Sequence, residues 1–268
     1  MTATTTTPPG IPTGIPTDTP TDTPTGIPTG STNSIIPALA VETAALETVT
    51  FDFYRNIHKG IRNELFAVTF AAGSADPHDT DAVAAVATRW RNLSGMLVEH
   101  AEHEEVFVQP VVEEHAAFLA VEILPAHRQL EVRAAALEVL ADRAIDACPD
   151  DRRLLTHRLY LGLAGFTAAY MEHQEFEELE VMPALCAAVS ADDLLALDMA
   201  IVATLTPEQM VYSATIMLPA MNVEDRVELV GGMKEGMPHE MFAGVWGLAE
   251  GVLAPEHAQQ LASRLGIA

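Results

Sequence analysis

Two stretches of this chain carry side chains that could do chemistry, and they match each other. His100-Ala-Glu-His-Glu-Glu-Val-Phe-Val-Gln-Pro110 recurs as His173-Gln-Glu-Phe-Glu-Glu-Leu-Glu-Val-Met-Pro183. Both read His-x-Glu-x-Glu-Glu-apolar-x-Val-x-Pro with no gap. In each copy a histidine and a glutamate stand four apart, His100 with Glu104 and His173 with Glu177, so on a helix they share one face. A further histidine precedes each copy. His58 stands 42 residues before His100, and His127 stands 46 before His173. The flanks of these two also match, His58-Lys59-x-Ile61 beside His127-Arg128-x-Leu130. The pattern is an internal duplication, with a pseudo-twofold axis expected between the halves.

Paired imidazoles and carboxylates are what a two-metal site needs. Two cations a few ångströms apart repel each other, and carboxylates from facing helices can bridge and neutralise them. The symmetric assignment gives His58 and His100 to one metal, His127 and His173 to the other, and makes Glu104 and Glu177 the bridges. Nitrogen and oxygen donors without thiolate suit iron, with zinc and manganese behind it. A lone histidine on an apolar face is more often a hydrogen-bonded core residue, and a single His-x-x-x-Glu arises by chance on acidic helices. Two copies, each preceded by its own histidine, outweigh that reading, because four buried histidines and two buried glutamates without a cation would be hard to satisfy. Some neighbours stay open. Glu131, four after His127, is a further ligand or a solvated residue. Tyr54 and Tyr170, each about one turn before a site histidine, bond a ligand, bind metal or pack at the bundle rim. His103 is an outer partner or exposed. His78, His115, His157, His239 and His257 lack matching partners and read as surface.

The elements that must position these residues are helical. Alanine, leucine, valine and glutamate dominate, aromatics are few, and strand-type alternation is scarce, which points to an all-α chain. Periodicity predicts long helices over about 48–72, 80–108, 120–147 and 151–179, joined by short breaks into an up-down four-helix bundle. Pro110 and Pro183 are expected to end or kink the two ligand helices, with Pro110 ending its helix just beyond the site and a shorter helical piece following it. Pro125 is expected to start or kink the third helix. The bundle domain is read as residues 48–187. Residues 190–268 read as a C-terminal helical extension of short, Met-rich helices whose starts are marked by Thr206-Pro-Glu-Gln209, Asn222, Pro238 and Pro255. This extension is expected to pack on the bundle or to form a homodimer. Residues 1–33, a loose Thr/Pro/Gly repeat, read as a disordered tail.

The chain has 268 residues and a formal net charge of −24, which argues against nucleic acid or anionic membrane as a partner. Two cysteines, Cys148 and Cys186, make no disulfide framework, and a reduced cytoplasmic setting is the plainer expectation. The apolar run 194–205 is interrupted by Asp198 and is too short to span a bilayer. The first basic residue is Arg55, so no signal-peptide charge pattern is expected.

At these residues the sequence resembles the hemerythrin-like family, the His-His-Glu cation-binding bundles, over about residues 48–185. The order His, His-x-x-x-Glu, His, His-x-x-x-Glu carries the resemblance. It implies two non-haem iron ions with an oxo or hydroxo bridge, held by His58, His100, Glu104, His127, His173 and Glu177. It also implies dioxygen, nitric oxide or hydrogen peroxide as the small-molecule ligand. There are two departures. The oxygen-carrying members have His-x-x-x-His on the third helix, where this chain has His127 followed by Glu131 and preceded by Ile123. They end in His-x-x-x-x-Asp, where this chain has His173-x-x-x-Glu177. One nitrogen ligand is therefore missing or replaced by oxygen. That points away from simple reversible oxygen carriage, towards members that react with peroxide, sense oxygen or nitric oxide, or handle iron. Three readings follow: a carrier or sensor, an enzyme that disproportionates or reduces peroxide, and a structural bundle with zinc or no metal.

Overall fold

A computed structural model describes residues 46–267, and the tail expected at 1–33 lies outside them. The described residues form an all-α structure. The long helices are α1 (Tyr54–Ser74), α2 (Thr80–His103), α4 (Ala117–Asp146) and α5 (Pro149–Phe176), with the short α3 (Gln109–His115) and α6 (Met182–Ala188) following the two ligand helices. The chain continues as α7 (Ala191–Val202), α8 (Pro207–Ala220), α9 (Val223–Gly236), α10 (His239–Val252) and α11 (Pro255–Leu265).

The starts of these helices follow from local chemistry. The helix expected from about residue 48 begins instead at Tyr54. The Asp52 carboxylate accepts from the Tyr54 and Arg55 backbone N–H groups at 3.1 and 3.0 Å, satisfying donors that a helix start leaves free. Asp79 does the same for α2 through the N–H groups of Asp81 and Ala82. Cys148 precedes α5 and Pro149 takes its first position, where a missing N–H does no harm. Thr206 and Gln209 form the expected capping box on α8, and Asn222 forms a second with Asp225 on α9. Pro238 and Pro255 open α10 and α11.

Prolines act differently from expectation. Pro125 lies inside α4, which starts eight residues earlier and runs on through it. Pro110 and Pro183 do not end their helices. Between α2 and α3, residues Glu104–Val108 form a π-helical turn, and Glu177–Val181 form its counterpart between α5 and α6. The Gln109 N–H reaches back five residues to the Glu104 carbonyl, and the Met182 N–H to the Glu177 carbonyl. A proline withdraws one donor from the ladder, and in both copies the ladder widens by one residue just ahead of it. Helical π turns mostly occur as single bulges at functional positions. The Gln109 amide, donating to Glu113 and to the Ala120 carbonyl, ties α3 to the start of α4.

Packing divides the interior into layers. The main core joins α1, α2, α4 and α5 through fully buried Leu65, Trp90, Leu93, Ala141, Leu159 and Leu163, with Phe166 set edge-on to Trp90 at 5.0 Å. Burying each such leucine stabilises the fold by roughly 1.5–3 kcal/mol. A second apolar layer at one bundle end gathers Tyr54, Val108, Val112, Ile123, Val181, Leu185 and Leu194. A third holds the C-terminal helices together around Leu218, Val230, Phe242 and Leu261. No single described helix is long and apolar enough to cross a membrane, and α7 and α8 meet at a bend of 118°.

The extension packs on the bundle. Ile216 of α8 enters the main core, and α8 crosses α1 at Gly60. A Cβ there would sit 3.1 Å from the Met217 nitrogen and 3.2 Å from the Ile216 carbonyl carbon, which are backbone atoms that cannot swing away. Lys59 pairs with Asp225 across the same junction. Gly60→Val should therefore destabilise the protein by about 1–3 kcal/mol in urea denaturation. Gly95, on the exposed face of α2 with nothing near its missing Cβ, is the control. Gly95→Ala should raise stability by about 0.5–1 kcal/mol.

Candidate metal centre

Four helices bring six side chains to one level of the bundle, between the main core and the end layer. His58 comes from the first turns of α1, His100 from the end of α2, His127 from α4 and His173 from the end of α5. Glu104 and Glu177 come from the first residue of each π turn. All are buried except His100, whose side chain is 13% exposed.

The carboxylates are shared between the halves. Glu104 turns Oε1 to His100 Nε2 at 3.1 Å and Oε2 to His127 Nε2 at 3.2 Å. Glu177 turns Oε1 to His173 Nε2 at 3.1 Å and to His127 Nε2 at 3.7 Å, and Oε2 to His58 Nε2 at 3.5 Å. The Nε2 atoms of His58 and His100 face each other at 3.4 Å. Two donor atoms on one cation, each about 2.1 Å from it, stand roughly 3 Å apart. These separations are of that order.

None of the four carboxylate oxygens completes a hydrogen bond, although all are buried, and the same holds for both nitrogens of His127. Buried ionisable atoms are normally paired, so an orphaned set this dense fits a cation. Two overlapping groups could hold one: Glu104, His127, His173 and Glu177, and His58, His100 and Glu104. The donor set is nitrogen and oxygen. Cys148 is exposed, and Cys186 donates to the Phe51 carbonyl instead.

Without a cation the cluster neutralises itself. Burial pushes the Glu104 carboxyl up, but His100 and His127 hold it well below the usual carboxylate range. Burial and Glu104 push Glu177 up, and His173 and His127 bring its net shift down. Burial pushes His127 down, yet its contacts with Glu104 and Glu177 carry it to about 10. His100 is likewise raised against burial by Glu104.

Around the six stand two carboxylates that sequence reasoning passed over. His58 Nδ1 donates to Glu178 Oε1 at 2.9 Å, and Arg62 holds Glu178 through two bonds of 2.7 and 2.9 Å. In the other half His127 Nδ1 faces Glu105 Oε1 at 3.4 Å. The signal was present in the repeated Glu-Glu pair: the first glutamate of each pair faces the cluster, and the second reaches the solitary histidine of the opposite half. Tyr54 stacks on the His58 ring at 4.9 Å, and Tyr170 lies edge-on to His173 at 5.8 Å. Burial pushes both phenols well above their usual range, helped by Glu177 and Glu104. Glu131 and His103, both half-buried, stand outside the two cation groups. His78, His115, His157, His239 and His257 are exposed, as their sequence context suggested.

The hemerythrin HHE cation-binding domain model matches residues 49–185, which is just over half of the chain and runs from before α1 into α6. The chain belongs to the hemerythrin HHE family. No curated protein and no solved structure shows detectable similarity to it. The match ends inside α6, short of the Met-rich extension.

The shifts set the pH behaviour of the metal-free HHE protein. Glu104 and Glu177 are depressed, so their contribution is present above the unfolded carboxylate value and fades as pH falls below it. His127 is raised, so its contribution is full below about 6.5 and fades as pH rises through about 10. Chelator-treated protein should be more resistant to urea at pH 5.5 than at pH 10. Greater resistance at pH 10 would contradict this charge assignment.

Proposed function

We propose that this HHE protein is a non-haem di-iron protein whose centre binds, senses or reacts with dioxygen, nitric oxide or peroxide. The observation that supports it best is the sharing of Glu104 and Glu177 between two histidine pairs, with four buried oxygens unpaired. His58 and His100 would hold one iron, His127 and His173 the other, and the two glutamates would bridge. Iron bound there supplies the capacity to take up and reduce a small oxygen- or nitrogen-centred ligand. The chain supplies a buried cluster of imidazole and carboxylate donors, an outer carboxylate, Glu178, bonded to His58, and a partly open side at His100.

Peroxide turnover is the second reading. It rests on the oxygen-rich ligand set and on two protonated phenols packed against site histidines, where they could deliver protons. The exposed apolar side chains of Leu195, Met199, Met210, Val211 and Met241 support self-association through the C-terminal helices. Light scattering should then give the mass of a dimer, and a monomer would remove that idea.

Anaerobic loading should give about two irons per chain and a visible spectrum that changes on adding oxygen, nitric oxide or peroxide. His100→Ala and His173→Ala should each lower the iron count and abolish the spectral change. Oxygen evolution from peroxide that is lost in both variants would select the enzyme reading over the carrier or sensor. Protein from iron-replete cells that holds zinc, or no metal, would overturn both. Because a cation relieves the two buried carboxylates, iron removal should lower the melting temperature, and an unchanged melt would place the metal elsewhere.

A further inference from the structure

The two halves of the site match in their ligands but not in what stands behind them. Arg62 is four residues after His58, and Glu131 takes the same place four after His127. In the first half a guanidinium grips Glu178 with two bonds, and Glu178 accepts from His58 Nδ1 at 2.9 Å. In the second half no cation grips Glu105 among the described residues. Its oxygen lies 3.4 Å from His127 Nδ1, which completes no hydrogen bond, and its side chain is 35% exposed against 21% for Glu178.

We propose that Arg62 is a positioning residue for the metal held by His58 and His100, acting through Glu178. The inference rests on the two-metal reading above. A locked Glu178 fixes the imidazole of His58 with the proton on Nδ1 and the lone pair on Nε2, aimed at the cluster. Outer partners of this kind set ring orientation and tautomer, and losing one weakens metal binding roughly 10–100-fold. His127 lacks such a lock, so the two metal positions are inequivalent although their ligands are related by the repeat. A planar fork that matches a carboxylate is a task for arginine rather than lysine.

Arg62 can be tested from outside the core. With Glu178, Met171, Glu172, Glu175 and Leu179 it lines a surface cavity of about 320 Å³. A small guanidinium can therefore enter where the side chain has been cut away. Cobalt(II) is the probe, titrated into the full-length metal-free protein and followed by its visible absorption. Wild-type protein should take up two cobalt ions. Arg62→Ala and Arg62→Gln should weaken one of the two by roughly tenfold or more and leave the other unchanged. Glu178→Gln should do the same, and Arg62→Lys should fall between. Methylguanidinium should restore the weakened position in Arg62→Ala and not in Glu178→Gln.

Unchanged affinities, equal weakening of both positions, or a fall in the metal-free melting temperature with no selective cobalt effect would each overturn the positioning role. Wild-type protein that binds fewer than two cobalt ions would instead overturn the two-metal reading, and this inference with it.

Discussion

Two carboxylates buried side by side with no hydrogen bond to any of their four oxygens constrain everything else in this bundle. Glu104 and Glu177 repel each other, and burial removes the water that would screen them. Only positive charge at the same level can hold them there, either as protonated imidazole or as bound cation. Four histidines from four helices surround them for that reason. The same need explains why the site lies between two apolar layers. The main core and the end layer exclude water above and below, so each charge interaction within the site is stronger than it would be at the surface.

Helix geometry delivers these side chains, and the departures from regular helix fall where the site needs them. An α-helix places His100 and Glu104 on one face, and His173 and Glu177 likewise. The π turns start at the two glutamates and end just before the two prolines. Widening the turn there lets the chain pass a residue without an N–H while remaining helical. It can then build α3 and α6, whose Val112 and Leu185 close the end of the bundle. A helix that stopped at Pro110 would leave the site open to solvent on that side.

Pseudo-symmetry gives the chain a centre from a duplicated motif, and departures from symmetry give that centre two distinct halves. The repeated Glu-Glu pair supplies one residue facing the cluster and one outer partner for the opposite half. The guanidinium of Arg62 on one side and the carboxylate of Glu131 on the other then break the equivalence. The extension adds a further asymmetry, because α8 crosses α1 at Gly60 and so backs the helix that carries His58 and Arg62.

The sequence by itself determined the all-α class, the four long helices, the capping of the later ones and the six side chains that meet at one level of the bundle. It could do so because helical periodicity and the i, i+4 spacing are local properties, and because a motif that occurs twice carries far more information than one occurrence. Boundaries were less legible. Helix α1 starts at Asp52's reach rather than at the first apolar residue, and Pro110 and Pro183, expected to end or kink their helices, are absorbed by a ladder that changes step. The doubled motif already led to the expectation that each carboxylate serves both halves. Tertiary structure supplied the particular contacts, Glu104 with His100 and His127, and Glu177 with His173, His127 and His58, since these depend on four helix axes meeting at one level. It also decided the outer ring. Glu178 and Arg62 lie 116 residues apart, and no local pattern connects them. Nor could spacing reveal that Glu131 stands outside the cluster, because a residue one turn beyond a ligand faces the site or solvent according to how its helix is rotated in the packed bundle.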